Sequence, residues 1–129
     1  MMAGLSHVEI FGDEPQKLAE LYRELFGWQI EQAPGIDYWR IRSDAGEAAH
    51  AIGGVARRPS FELQGWLPYI QVASVSGAVS IAERHGGRVL KPRTAVPRAA
   101  WYAVLADAAG NAFAVWEPDP TAFPIPMPD

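Results

Sequence analysis

The chain has no cysteine. That excludes disulfides, zinc–thiolate centres, iron–sulfur clusters and a cysteine nucleophile. Basic charge is scarce: of 11 Lys and Arg residues nine are arginine, and no basic run exceeds Arg57-Arg58. With a net charge of −4, a polyanion is disfavoured as main partner, so no nucleic acid is expected. No apolar stretch approaches the ~20 residues of a membrane span, so no membrane partner is expected. The opening "MMAGLSHVEI" lacks a basic segment followed by a long apolar run. A cytoplasmic location is the resulting expectation. GxSxG, Walker, HExxH and dinucleotide signatures do not occur.

What is present is ordinary globular composition, with 49% apolar and 20% charged residues over 129 positions. This bounds the chain to one domain, 1–129, or two small units sharing a core. "HVEIF" reads as a strand with His7, Glu9 and Phe11 on one face. "GDEPQKLAELYRELFG" reads as a helix, because Leu18, Leu21, Tyr22, Leu25 and Phe26 recur at helical spacing. Asp13 is placed to cap it, Pro15 suits its first turn and Gly27 its stop. "WQIEQ", "DYWRIRS" and "HAIGGVA" follow as strands.

The second half repeats that order. "PYIQVA" is a strand and "SVSGAVSIAERHGG" a helix capped by Ser76, followed by strands "RVLKPR", "AAWYAVLAD" and "NAFAVWEP". His7 matches Tyr69, Gly27 matches Gly87, Trp39 matches Trp101 and "DAG" at 44–46 matches "DAAG" at 107–110, with offsets of 60 to 64 residues. A duplicated βαβββ unit is predicted, each copy too small to bury its own core: module 1 about 5–58 and module 2 about 66–118. "RRPSFELQGW" is the linker, and the tail 118–129, with five prolines, is expected to be extended on the surface or on a neighbour.

This duplicated unit, with "LYRELFGW" at its first helix stop and a D-x-x-G-N turn before its last strand, resembles the vicinal oxygen chelate superfamily. That group includes glyoxalase I, extradiol dioxygenases and bleomycin-resistance proteins. The resemblance covers roughly residues 5–118. It implies an α+β fold of two pseudo-symmetric βαβββ modules, their curled mixed sheets enclosing a shared cavity, and a homodimer.

Metal-dependent members place ligands on the first and last strands of each module. His7 matches that pattern, but Tyr69, the trio Ile52, Gly53 and Gly54, and Ala114 stand where the other ligands are expected. Glu117 lies three residues beyond Ala114, on the opposite face of a regular strand. A divalent metal site needs about three protein ligands. The expectation is therefore no metal cofactor; an atypical site, if formed, draws on His7, Glu9 and Glu117.

The expected ligand-binding set is His7, Glu9, Trp39, Gly54, Tyr69, Gln71, Trp101, Ala114 and Trp116, aromatic with a few polar points. Glu9 is the candidate catalytic residue, or else one half of a structural pair with His7, Arg40 or Arg42. Glycines at 53 and 54 permit a bulge or close approach of a ligand, or mark a dimer contact or strand end. Trp28 reads as core filler. Lys91, Arg93 and Arg98 read as a solvated basic edge, with an anionic ligand as the alternative. His50 and His85, near a turn and a helix end, need no site.

Three functions fit these residues. One is metal-independent binding of a small aromatic or amphipathic molecule. Another is a glyoxalase-like lyase, isomerase or dioxygenase with an atypical metal site. The last is an accessory dimerisation or regulatory module.

Overall fold

The computed structural model describes residues 4–42, 51–59, 63 and 65–124. His50, the "DAG" at 44–46, part of the linker and the last five tail residues lie outside them. The fold is α+β, with two compact units, one of His7–Leu67 and one of the chain from Pro68 onward together with the residues before His7.

Module 1 contains β1 (Gly4–Gly12), α1 (Pro15–Phe26), β2 (Gln29–Gln32), β3 (Tyr38–Arg42) and β4 (Ala51–Arg57). Its strands lie in the order β2-β3-β4-β1, with β1 parallel to β4 and the other pairs antiparallel. Module 2 contains β5 (Gly65–Gln71), α2 (Val75–Arg84), β6 (Arg88–Val96), β7 (Ala100–Ala106) and β8 (Ala112–Pro118). Its order is β6-β7-β8-β5, with β5 parallel to β8. Element for element, the two orders are the same, as the internal repeat predicts. Among the described residues no helix is long and apolar enough to cross a membrane.

α1 begins with Pro15 in its first turn, where a missing N–H costs nothing. Its cap is Glu14, without a side-chain cap bond, rather than Asp13. The Asp13 carbonyl instead accepts from Arg57 Nη1 at 2.8 Å. Gly27 ends the helix with φ 70, and its N–H donates to the Arg23 carbonyl at 2.9 Å. Pro15 and Ala19 are buried against the sheet, where Leu18 and Tyr22 join Ile10, Ile41 and Val55. Leu21, Leu25 and Phe26 stay about half exposed or more. The helix therefore rests on a narrower stripe than its apolar residues suggest. Trp28 packs where the core filler reading puts it, beside Phe26 with ring centroids 4.8 Å apart.

Ser74, not Ser76, caps α2, its Oγ accepting from the Gly77 N–H at 3.0 Å. The module 2 core is Val75, Ala103, Leu105 and Val115. The "DAAGN" turn is held by Asp107, which accepts from the Ala109 and Asn111 N–H groups at 2.9 Å and from Asn111 Nδ2 at 3.0 Å. The side-chain bond from Asn111, then its backbone N–H, holds the Asp107 carboxyl below its ordinary value. The tail departs from a plain extended run. Asp119 starts a turn, Ala122 is buried, and its carbonyl accepts from the Arg98 N–H at 2.8 Å.

Candidate functional site

In module 1 the strand period divides β1, β4 and β3 into two faces. Glu9 sits opposite Gly54, and Gly54 opposite Arg40; one residue on, Ile10 sits opposite Val55, and Val55 opposite Trp39. The second row is covered by α1 and forms the core. The first row, with His7, Phe11 and Tyr38, forms the other face of the sheet.

Glu9 is the centre of that face. Its Oε1 lies 3.1 Å from His7 Nε2 and 2.9 Å from the Tyr38 hydroxyl, which is also 3.1 Å from Oε2. With Glu9 as a carboxylate, both neighbours donate to it. Two donors do not exhaust the roughly four acceptor positions of a carboxylate. The side chain retains 14% exposure and His7 29%, so this part of the face is not sealed from solvent.

Gly54 makes this arrangement possible. A Cβ built there would fall 2.1 Å from both Cζ and Oη of Tyr38. The tyrosine ring lies across β4 in the space a side chain would need, and so reaches a carboxylate two strands away. The close approach expected at Gly54 thus exists, and the group that makes it is Tyr38. Next to it the ladder skips a residue, Ile41 facing Gly53 and Arg42 facing Ala51, so the bulge reading of the glycine pair also holds.

Trp39 does not belong to the Glu9 face. It is 6% exposed and packs with Ile10, Ala19, Ile30, Ile41 and Val55 under α1. Its accessible edge borders a cleft at the start of the helix with Glu14, Lys17, Asp37 and Arg57. The expectation for Trp39 is off by one residue, and Tyr38 holds the place assigned to it. The alternation in "YWRIR", apolar at Trp39 and Ile41 and polar between, carries the correct phase.

Module 2 repeats the division. Tyr69 pairs with Ala114 and Gln71 with Trp116, while Tyr102 pairs with Trp116 across the next ladder. These share the face away from α2, as expected, and Ala114 is fully buried there. Trp101 is on the other face, packed against the Val75, Ala103, Leu105 and Val115 core. Its Nε1 donates to Asp119 at 2.9 Å, and the Arg93 guanidinium lies 3.6 Å from its ring centroid. Thr121, first through its hydroxyl and then its N–H, and next Trp101, hold the Asp119 carboxyl below its ordinary value. The pocket expectation for Trp101 is therefore corrected to a core and tail-anchoring role.

Among the described residues the donor set does not make up a divalent metal site. Among the described residues no group of three or more His, Asp or Glu side chains comes together. His7 and Glu9 are adjacent, with His7 Nε2 3.1 Å from Glu9 Oε1. Glu117 is committed elsewhere: its Oε1 accepts from the Val75 N–H at 2.9 Å, at the first turn of α2, where the helix dipole favours negative charge.

A sequence model of the glyoxalase-like domain family matches residues 8–116. The chain belongs to that family, within the vicinal oxygen chelate superfamily. No curated protein matches this glyoxalase-like domain. Among solved structures it is similar to a hypothetical protein, BH1468 from Bacillus halodurans C-125, at 17% identity and TM-score 0.58, covering 95% of this chain and 99% of the other. It is similar to a variant of Streptomyces coelicolor methylmalonyl-CoA epimerase in complex with 2-nitronate-propionyl-CoA, at 15% identity and TM-score 0.58, with coverages of 96% and 100%. A structure titled NAD-dependent benzaldehyde dehydrogenase, from Legionella pneumophila, aligns at 17% identity and TM-score 0.58, with coverages of 87% and 97%. At these identities the likeness is one of fold. The glyoxalase-like scaffold accommodates different chemistries, so function is argued from the side chains on its faces.

Proposed function

We propose that this glyoxalase-like domain binds a small aromatic or amphipathic molecule on the module 1 face, with Glu9 as acceptor of the ligand's hydrogen bond and without a metal. The reading rests on one observation above all. Glu9 is fixed by His7 and Tyr38, yet keeps acceptor capacity on a partly open face. Preorganisation of this kind lowers the cost of ordering on binding. His7 and Tyr38 touch the carboxylate and Phe11 shares its face, all three half-buried rings that suit a planar apolar body bearing a hydroxyl or amine.

The test uses 1-naphthol, read by quenching of tryptophan fluorescence. Glu9→Gln keeps the shape and removes the charge, so affinity is expected to fall about tenfold, the difference between a charge-assisted and a neutral hydrogen bond. Unchanged affinity in both Glu9→Gln and Tyr38→Phe would overturn the reading.

A lyase or isomerase is a second reading, favoured by the uneven load on the carboxylate. Among the described residues Oε1 meets both His7 and Tyr38, whereas Oε2 meets only Tyr38, at 3.1 Å. Oε2 is then the oxygen to take a proton from an acidic C–H. Solvent deuterium exchange into a bound carbonyl compound, abolished in Glu9→Gln while binding persists, separates this reading from simple binding.

A further inference from the structure

The face of module 2 away from α2 carries a polar atom that nothing above uses. Trp116 Nε1 is shut off from water and has no hydrogen-bond partner among the described residues. An indole nitrogen can only donate, so this N–H lacks an acceptor in a place where water cannot supply one. Such a group carries a standing penalty that an arriving acceptor removes and an apolar ligand does not.

The neighbours on that face give the acceptor its character. Tyr102 faces Trp116 across the β7–β8 ladder, so the phenol and indole are adjacent on one surface. Over the Tyr102 ring, 5.0 Å from its centroid, stands the Lys91 ammonium, on the neighbouring strand β6. Gln71, opposite Trp116 on β5, is exposed. One surface thus combines a donor without an acceptor, a cation and two aromatic rings.

We propose that this module 2 face binds the carboxylate end of a planar aromatic acid. Trp116 Nε1–H donates to one carboxylate oxygen, Lys91 supplies the counter-charge, and the ligand ring lies on Tyr102. The site is carried by module 2 residues alone and is chemically opposite to the Glu9 face, which calls for a ligand that donates.

The test is a titration of the full chain, labelled with 15N in its indoles, with benzoate, benzamide and toluene. Loss of one indole signal in Trp116→Phe assigns the Trp116 resonance. Benzoate is expected to move that proton downfield saturably, benzamide to do so more weakly, and toluene to leave it in place. Lys91 is exposed, so Lys91→Met keeps the fold, and benzoate affinity measured by calorimetry should fall at least about tenfold with the charge-assisted contact gone. Several results would overturn the proposal: a Trp116 signal that ignores benzoate, equal affinities in Lys91→Met and the wild type, or a large indole shift in Gln71→Ala without ligand. The last would mean that Gln71 itself satisfies the N–H. Retained 1-naphthol binding in Lys91→Met keeps the fate of this face separate from that of Glu9.

Discussion

The Tyr38 hydroxyl donates to Glu9 Oε1 at 2.9 Å although β4 runs between their strands. It does so by crossing the backbone at Gly54, where any Cβ would collide with the ring. Three residues far apart in the chain therefore act as one unit: a carboxylate, a hydroxyl that fixes it and a glycine that lets the hydroxyl arrive.

Gly54→Ala is expected to expel the Tyr38 ring and cost about 1–3 kcal/mol, the usual penalty of overpacking. Tyr38→Phe should cost about 1.5–3 kcal/mol, as for a hydrogen bond to a charged group. Because both break the same contact, the double variant should lose less than the sum. Urea denaturation midpoints measure all three, and strict additivity would show that Gly54 and Tyr38 do not cooperate.

Glu117→Ala removes the acceptor at the first turn of α2. Stability is expected to fall by about 0.5–2 kcal/mol, the range for losing an N-terminal helix cap. Binding of 1-naphthol to the folded variant should be unchanged. A variant as stable as the wild type would remove the capping role.

Metal content follows from the same residue. With Glu117 engaged at α2, and no group of three His, Asp or Glu side chains among the described residues, purified protein is expected to hold well under one divalent ion per chain. Elemental analysis after purification without chelator decides this. One tightly held ion, lost on His7→Ala, would refute the expectation.

Asp107 links the D-x-x-G-N turn to pH. Its native carboxyl is held below the ordinary 3.8, chiefly by the side chain of Asn111, so the unfolded chain binds its proton first as pH falls. The stabilisation is present above pH 3.8 and is lost as pH drops through the depressed native value. Asp107→Asn should therefore be less stable than the wild type at neutral pH, with the gap closing in acid. A gap independent of pH would assign the effect to shape rather than charge.

Much of this fold is legible in the sequence because its signals are local or repetitive. Gly27 and Pro15 bound α1 through backbone conformations that few other residues accept as well. The repeat yields two modules of identical strand order, and the period-2 pattern on β1 and β8 sorts His7 and Glu9, and Ala114 and Trp116, onto their faces. Caps are less legible. Ser74 and Ser76 both suit the start of α2, and only the path of the chain selects Ser74.

What the sequence by itself determined is therefore the modular order and the polar character of the β1 face, which follow from periodicity and internal repetition, while its motifs carried the resemblance to the family. Tertiary structure decided which side chains meet there. Tyr38 replaces Trp39 beside Glu9 because α1 covers the Trp39 side of β3, and Glu117 leaves the candidate ligand set because α2 begins next to it. That Trp116 Nε1 is a buried N–H without an acceptor among the described residues is a property of the folded chain that no sequence pattern announces. Alternation along a strand says which residues share a face. Which face a helix covers, and what crosses a glycine from two strands away, depends on register and long-range packing.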